Sequence, residues 1–169
     1  MIIVAGITRS GLTMTMQMLH AGGYPCAGEY PAFEPYKIGD IPWNAVNGKA
    51  VKLLDAHLHL PFKLKRQKVI LLTRDPIQQA RSFNKFLFNI IGLPPVPESN
   101  LKLSFKKDYA TISKWLKRHD VLKLQFEDII KNPMDAAQKI VVFSGQNLSL
   151  TKMAAAVIPR DPECYPGFL

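Results

Sequence analysis

Ile2-Ile3-Val4-Ala5-Gly6-Ile7-Thr8-Arg9-Ser10-Gly11-Leu12-Thr13 is the stretch whose reading decides the fold. Its first four residues form a continuous apolar run with no polar alternation, the pattern of a strand covered on both faces in a parallel sheet. Gly6 ends the run and a glycine-bearing loop follows. No helix breaker occurs between Thr13 and Leu19, and Gly22-Gly23 then stops the segment, so a helix is expected over about residues 11–21. Strand, loop and helix in that order make the repeating unit of an α/β domain.

Working outward, Ala50-Val51-Lys52-Leu53-Leu54, Val69-Ile70-Leu71-Leu72-Thr73 and Val121-Leu122-Lys123-Leu124-Gln125 read as three more strands. A further short strand is expected near residues 25–27, inside a proline-rich stretch (24–48) that is otherwise loop. After the third strand, Asp75-Pro76 supplies a capping carboxylate and a proline at the first helical position, opening a helix expected to reach about Ile91. Pro94, Pro95 and Pro97 make residues 92–100 a loop, placed to lie over a site. Helical spacing runs through Phe105, Tyr109, Ile112 and Trp115 over residues 103–119. It returns over 126–130 and 134–145, interrupted at Pro133. Residues 151–169, with three prolines, read as an irregular packed extension. The expected architecture is α/β: one domain over residues 1–169 with a parallel sheet of about four to five strands and helices on both faces.

Composition narrows the function. The 169 residues are 47% hydrophobic and 21% charged, which excludes disordered, collagen-like and disulfide-scaffold chains. Cys26 and Cys164 stand far apart with no histidine pair near them, so no metal site is expected and a reducing, cytoplasmic setting is. No segment approaches the roughly 18 to 20 apolar residues of a membrane span, and Arg9 interrupts the first apolar run too early for an export signal. The net charge is +9, yet residues 49–123 alone carry +11 and the rest −2. That imbalance suits an anionic ligand or a solvated lysine face.

Two constellations carry chemistry. Gly6, Gly11 and Thr13 are spaced as in a phosphate-binding P-loop, but Leu12 stands where the lysine of a nucleotide kinase should be. What survives is a backbone cradle at a helix N-terminus, with Arg9 and the Ser10 and Thr13 hydroxyls beside it, suited to a single phosphate. The second is Arg74 at the end of the clearest strand, with Ser82 eight residues later on the following helix. Ligand groups collect at such strand ends, so Arg74 and Ser82 could share a second phosphate; a structural pairing of Arg74 with a carboxylate is the alternative.

Together these segments resemble the sulfotransferases that use 3′-phosphoadenosine 5′-phosphosulfate (PAPS). Thr8-Arg9-Ser10-Gly11-Leu12-Thr13 is similar to the family's 5′-phosphosulfate loop. The span from Val69 to Ser82, with Arg74-Asp75-Pro76, is similar to its 3′-phosphate segment. Phe126-Glu127-Asp128, Asn132-Pro133 and Phe143-Ser144-Gly145 resemble its downstream stretch. Leu12 and Phe126 depart from the family's threonine and tyrosine, and no Arg-Lys-Gly segment occurs near the C-terminus. The resemblance implies a P-loop NTPase-like topology and sulfuryl transfer to a hydroxyl or amine of a small-molecule, carbohydrate or protein acceptor, without a metal. It implies that Thr8, Arg9, Ser10, Gly11, Leu12 and Thr13 bind the donor's 5′ end, that Arg74 and Ser82 bind its 3′-phosphate, and that Arg9 stabilises the leaving charge. For the base, the family's histidine matches His57 or His59, with Asp55 a third candidate. A P-loop kinase, a nucleic-acid-binding module using the basic middle, and a nucleotide-binding domain without activity are the rival readings.

Overall fold

The computed structural model describes residues 1–34, 41–161, 163 and 164. Four strands, β1 (Ile2–Ala5), β2 (Ala50–Leu53), β3 (Lys68–Thr73) and β4 (Asp120–Gln125), form one sheet in the order β2-β1-β3-β4. Every pairing is parallel. The strand expected near residues 25–27 amounts to a single bridge, Cys26 to Ala50.

Parallel strands need crossovers, and these place helices on both faces. On one face Ile2, Val4, Ile70 and Leu72 pack against α1 (Leu12–Ala21), α4 (Phe126–Lys131), α5 (Pro133–Ser144) and α6 (Leu150–Ala155). On the other, Ile3, Ala5, Val69 and Leu71 meet α2 (Pro76–Phe86) and α3 (Glu98–Leu116). Alternate residues of one strand thus feed two cores, which is why β1 and β3 are apolar throughout. Met16 and Met18 are fully buried between α1 and the sheet, filling an irregular gap with unbranched side chains.

Three boundaries differ from the sequence reading. α2 ends at Phe86 and gives way to a π-helical turn, Leu87–Ile91. α3 begins at Glu98, five residues earlier than the apolar spacing suggests, because the carbonyl of Pro97 accepts the Leu101 amide and Glu98 pairs with Arg81 at 3.3 Å. The tail expected to be irregular contains α6. Its residues are good helix formers, and Met153 docks onto Gly22, where a Cβ would come within 2.6 Å of the Met153 Cγ. The same contact lets the Ser149 amide reach the Gly22 carbonyl. No described helix is long and apolar enough to cross a membrane.

Candidate functional site

The loop after β1 is held by its neighbours before it holds anything itself. The Thr8 amide donates to Asp55 Oδ1 at 2.8 Å, Gln79 Nε2 donates to the Thr8 carbonyl at 2.8 Å, and the Ala56 amide donates to the Gly6 carbonyl. Gly6 tolerates no side chain: a Cβ there would meet Ser10 Oγ at 2.7 Å and the Leu72 carbonyl at 3.0 Å. Arg9 and Gly11 both take positive φ, 66° and 97°, which bends the chain into α1.

α1 starts with an open end. Gly11 offers no side-chain cap, the first turn carries no acid, and the first helical bond runs from the Thr15 amide to the Gly11 carbonyl. The amides of Leu12, Thr13 and Met14 therefore have no acceptor within the helix. Together with the helix dipole they form an anion-attracting end. Gly11 also lies under Phe126, whose Cδ2 would be 2.8 Å from an added Cβ.

This end faces a cleft of about 500 Å³ that gathers Thr8, Arg9, Gly11, Leu12, Thr13, Arg74 and Ser82. The two constellations read separately from the sequence are one: Arg9 Nε donates to Ser82 Oγ at 3.1 Å, and Arg74 Nη1 donates to the Arg9 carbonyl at 3.2 Å. Arg74 stacks on Phe126, its Cζ 4.2 Å from the ring centroid, and its Nε lies 3.6 Å from Glu127 Oε1. Glu127 also receives the Asp75 amide, so the carboxylate fixes both Arg74 and the entry to α2.

Ser10 is the member of the loop that turns away. Its side chain is fully buried, and both its hydroxyl and its amide donate to the Ile7 carbonyl, so neither lines the cleft. The histidines also stand apart. The stretch after β2 is a 3₁₀ turn (Ala56–Leu58) that contains His57 and leaves His59 at its end. His57 Nε2 lies 3.7 Å from Asp108 Oδ1 on α3, and neither histidine is among the cleft residues. Asp55 is committed to the Thr8 amide.

Two cations that sequence reasoning missed complete the cleft. Lys52, almost wholly buried in β2, donates to Glu34 Oε1 at 2.9 Å, to the Ala32 carbonyl and to Thr13 Oγ1 at 3.3 Å. It sets a cation, paired with Glu34, beside Thr13 at the start of α1. Its signal was available, since a lysine inside a strand buried on both faces must be paired. Arg160 reaches in from beyond α6, its Cζ 5.3 Å from the Phe126 centroid, and nothing in the tail's composition pointed there.

Burial pushes the Arg9 guanidinium below its ordinary range, and the positive charge of Arg160 adds to the effect. Arg74 is shifted the same way, again chiefly by burial, with Glu127 opposing and Arg9 and Arg160 reinforcing. Arg9, Arg74 and Arg160 repel one another beside an uncapped helix end, an arrangement that an anion relieves, and the cleft lining also carries the carboxylates of Glu34, Asp161 and Glu163.

The sulfotransferase domain family, compared as a sequence model, matches residues 1–158. The chain belongs to that family. Curated protein sequences gave no match. The sulfotransferase domain carries sulfuryl transfer from PAPS to an acceptor, and its parallel α/β architecture is the one seen here. The cleft sets the open amides of α1 at one place and the arginines at another.

Proposed function

We propose that this cleft is the donor site of the sulfotransferase. In this reading the open N-terminus of α1, with Thr13 and Lys52, receives the 5′-phosphosulfate of PAPS, and Arg74 with Ser82 receives the 3′-phosphate. The observation that carries it is the pair of contacts joining Arg9 to Ser82 and Arg74 to the Arg9 carbonyl, which builds one continuous cationic wall from the loop to α2. PAPS supplies a sulfuryl group whose bond to the 5′-phosphate breaks as a hydroxyl or amine of the acceptor attacks sulfur. Arg9 stands over the loop as a fixed cation and stabilises the charge left on the phosphate, at no cost in reorganisation. Ser10 supports the loop from within. The acceptor's proton passes to a base for which the family resemblance offers His57 or His59. Asp108 Oδ1, 3.7 Å from His57 Nε2, is placed to orient His57, and neither histidine lines the donor cleft. Two free thiols, Cys26 and Cys164, support a reducing, cytoplasmic setting, which cell fractionation checks.

The test is a thermal-shift comparison of adenosine 3′,5′-bisphosphate, ATP with magnesium and a short oligonucleotide. A ligand at 100 times its dissociation constant stabilises by about 2.7 kcal/mol. The bisphosphate is expected to give the largest shift, with no response to magnesium. A larger shift with magnesium-ATP assigns the cleft to a kinase, with Lys52 serving from β2, and a larger shift with the oligonucleotide assigns it to nucleic acid.

A further inference from the structure

Away from the cleft, the outer surface of α3 and the turn before it combine two features that a solvated surface does not need together. α3 buries Leu101, Phe105, Ile112, Trp115 and Leu116 against the sheet. At 100° per residue the opposite face carries Lys106, Lys107, Lys114 and Lys117, flanked by Lys102 and Arg118, all exposed. The helix's two acids are turned elsewhere: Glu98 pairs with Arg81 at 3.3 Å, and Asp108 faces His57 at 3.7 Å. Six cations thus share one face with no carboxylate of α3 among them.

On the chain that leads from α2 into α3 stands an apolar tip. Ile90 is 72% exposed, Ile91 50% and Leu93 51%, and Leu103 on the first turns of α3 is 60% exposed. The tip is held in place. The side chain of Asn84 bonds both the amide and the carbonyl of Val96, tying the loop between the tip and α3 back to α2. A π-helical turn builds it, the kind of irregularity that recurs at functional surfaces.

We propose that this face docks on an anionic lipid bilayer, with Ile90, Ile91 and Leu93 entering the interface and the α3 cations lying over the headgroups. A row of lysines alone would fit any polyanion. The exposed branched aliphatic residues decide for the bilayer, because a nucleic acid or an acidic polysaccharide offers them nothing to enter. Anionic lipids concentrate on the cytoplasmic leaflet, and each cation near such a surface contributes roughly a fivefold gain in partitioning. The helix wall that carries Ser82 and Phe86 in the cleft continues into the tip, so docking sets the cleft mouth beside the membrane surface.

The experiment is vesicle co-sedimentation of the full chain, with phosphatidylcholine alone and with phosphatidylcholine mixed with phosphatidylserine. Binding is expected to the mixed vesicles only, weakening as salt rises. Lys106→Glu with Lys107→Glu should lower it roughly 25-fold or more, and Ile90→Asp with Ile91→Asp about tenfold or more. Both pairs should keep the melting temperature and the bisphosphate shift of the parent, since they lie outside the cleft; Lys106→Gln with Lys107→Gln is the milder pair should the reversal disturb folding. The proposal is overturned by no binding to mixed vesicles, by equal binding to phosphatidylcholine alone, or by variants that bind as the parent does. Loss of the bisphosphate shift in the parent protein would instead strike the donor-site reading and leave the membrane result standing.

Discussion

The two junctions at which a strand of this sheet passes into a helix, β1 to α1 and β3 to α2, share a topology and differ in who satisfies the helix end. At α1 the N-cap is a glycine in the left-handed region with no side chain to offer, and the amides behind it stay open to the cleft. At α2 Asp75 accepts the amides of Ile77 and Gln78, and proline occupies the first turn. One junction is built to receive an anion on its backbone. The other has filled that place with its own carboxylate and can contribute only side chains, Arg74 and Ser82. Equivalent positions in a doubly wound sheet are therefore not equivalent sites; the cap residue decides which end stays available.

The sharpest way to break this contrast is Gly11→Ala. The new Cβ meets Phe126 at 2.8 Å and sits at φ 97°, so it loses on both counts. A destabilisation of about 1 to 3 kcal/mol in chemical denaturation is expected from the backbone alone, with loss of the bisphosphate shift. Phe126→Ala removes the contact at its own core cost, so the backbone cost is read as the difference between Phe126→Ala and the double variant, and no difference would show that φ is unimportant there.

Arg74→Ala addresses the other junction. Adenosine 3′,5′-bisphosphate should bind about 1.5 to 3 kcal/mol more weakly, the worth of a hydrogen bond to a charged group. Adenosine 5′-phosphate should be nearly unaffected in the same titration calorimetry. Equal losses for the two ligands would reduce Arg74 to its structural partners, Glu127 and the Arg9 carbonyl.

Asp75→Ala exchanges the character of the second end. Removing the cap should cost about 1 kcal/mol of stability, while bisphosphate affinity holds or rises because a carboxylate has left the neighbourhood of the 3′-phosphate arm. A fall in affinity as large as that of Arg74→Ala would mean that Asp75 positions Arg74 through the junction.

The smallest effect lies at the other end of the sheet and serves as a reference free of ligand. His119 is buried against Trp115, accepts the Gln67 amide at Nδ1, and is pushed below its ordinary value by burial, with Arg118 adding to the shift and Asp120 opposing it. The unfolded chain then binds this proton more readily than the folded one. Stability from His119 is present above about pH 6.5 and is lost as the pH falls through and below that value. His119→Asn, whose Oδ1 stands near the Nδ1 position and keeps an acceptor for the Gln67 amide, should flatten the denaturation midpoint against pH in that window and leave the bisphosphate shift unchanged.

Much of this was legible in one dimension. Four strands, the helix after Gly11 and the Asp75-Pro76 start of α2 could be read because each rests on local chemistry: continuous apolar runs, a cap, a glycine. Arg9, Thr13, Arg74 and Ser82 stand out by spacing together with the family resemblance, and the structure brings them to one cleft. Less legible were features whose cause lies in another segment. α6 forms where Met153 meets Gly22, more than a hundred residues away in the chain, and no local pattern announces that contact. Ser10 looked like a ligand because its neighbours do, yet the tight turn bonds it to Ile7.

The sequence by itself determined which residues could form a parallel sheet, where the phosphate-type loop lies and that no kinase lysine stands at position 12, since these follow from side-chain type and spacing along a covalent chain. Only the tertiary structure decided that the loop and the β3–α2 junction are one wall, that Lys52 and Arg160 join it, and that His57 turns to Asp108. Those outcomes depend on distances between residues remote in sequence, and a cation's field acts through space with no regard for the order in which the chain delivers it.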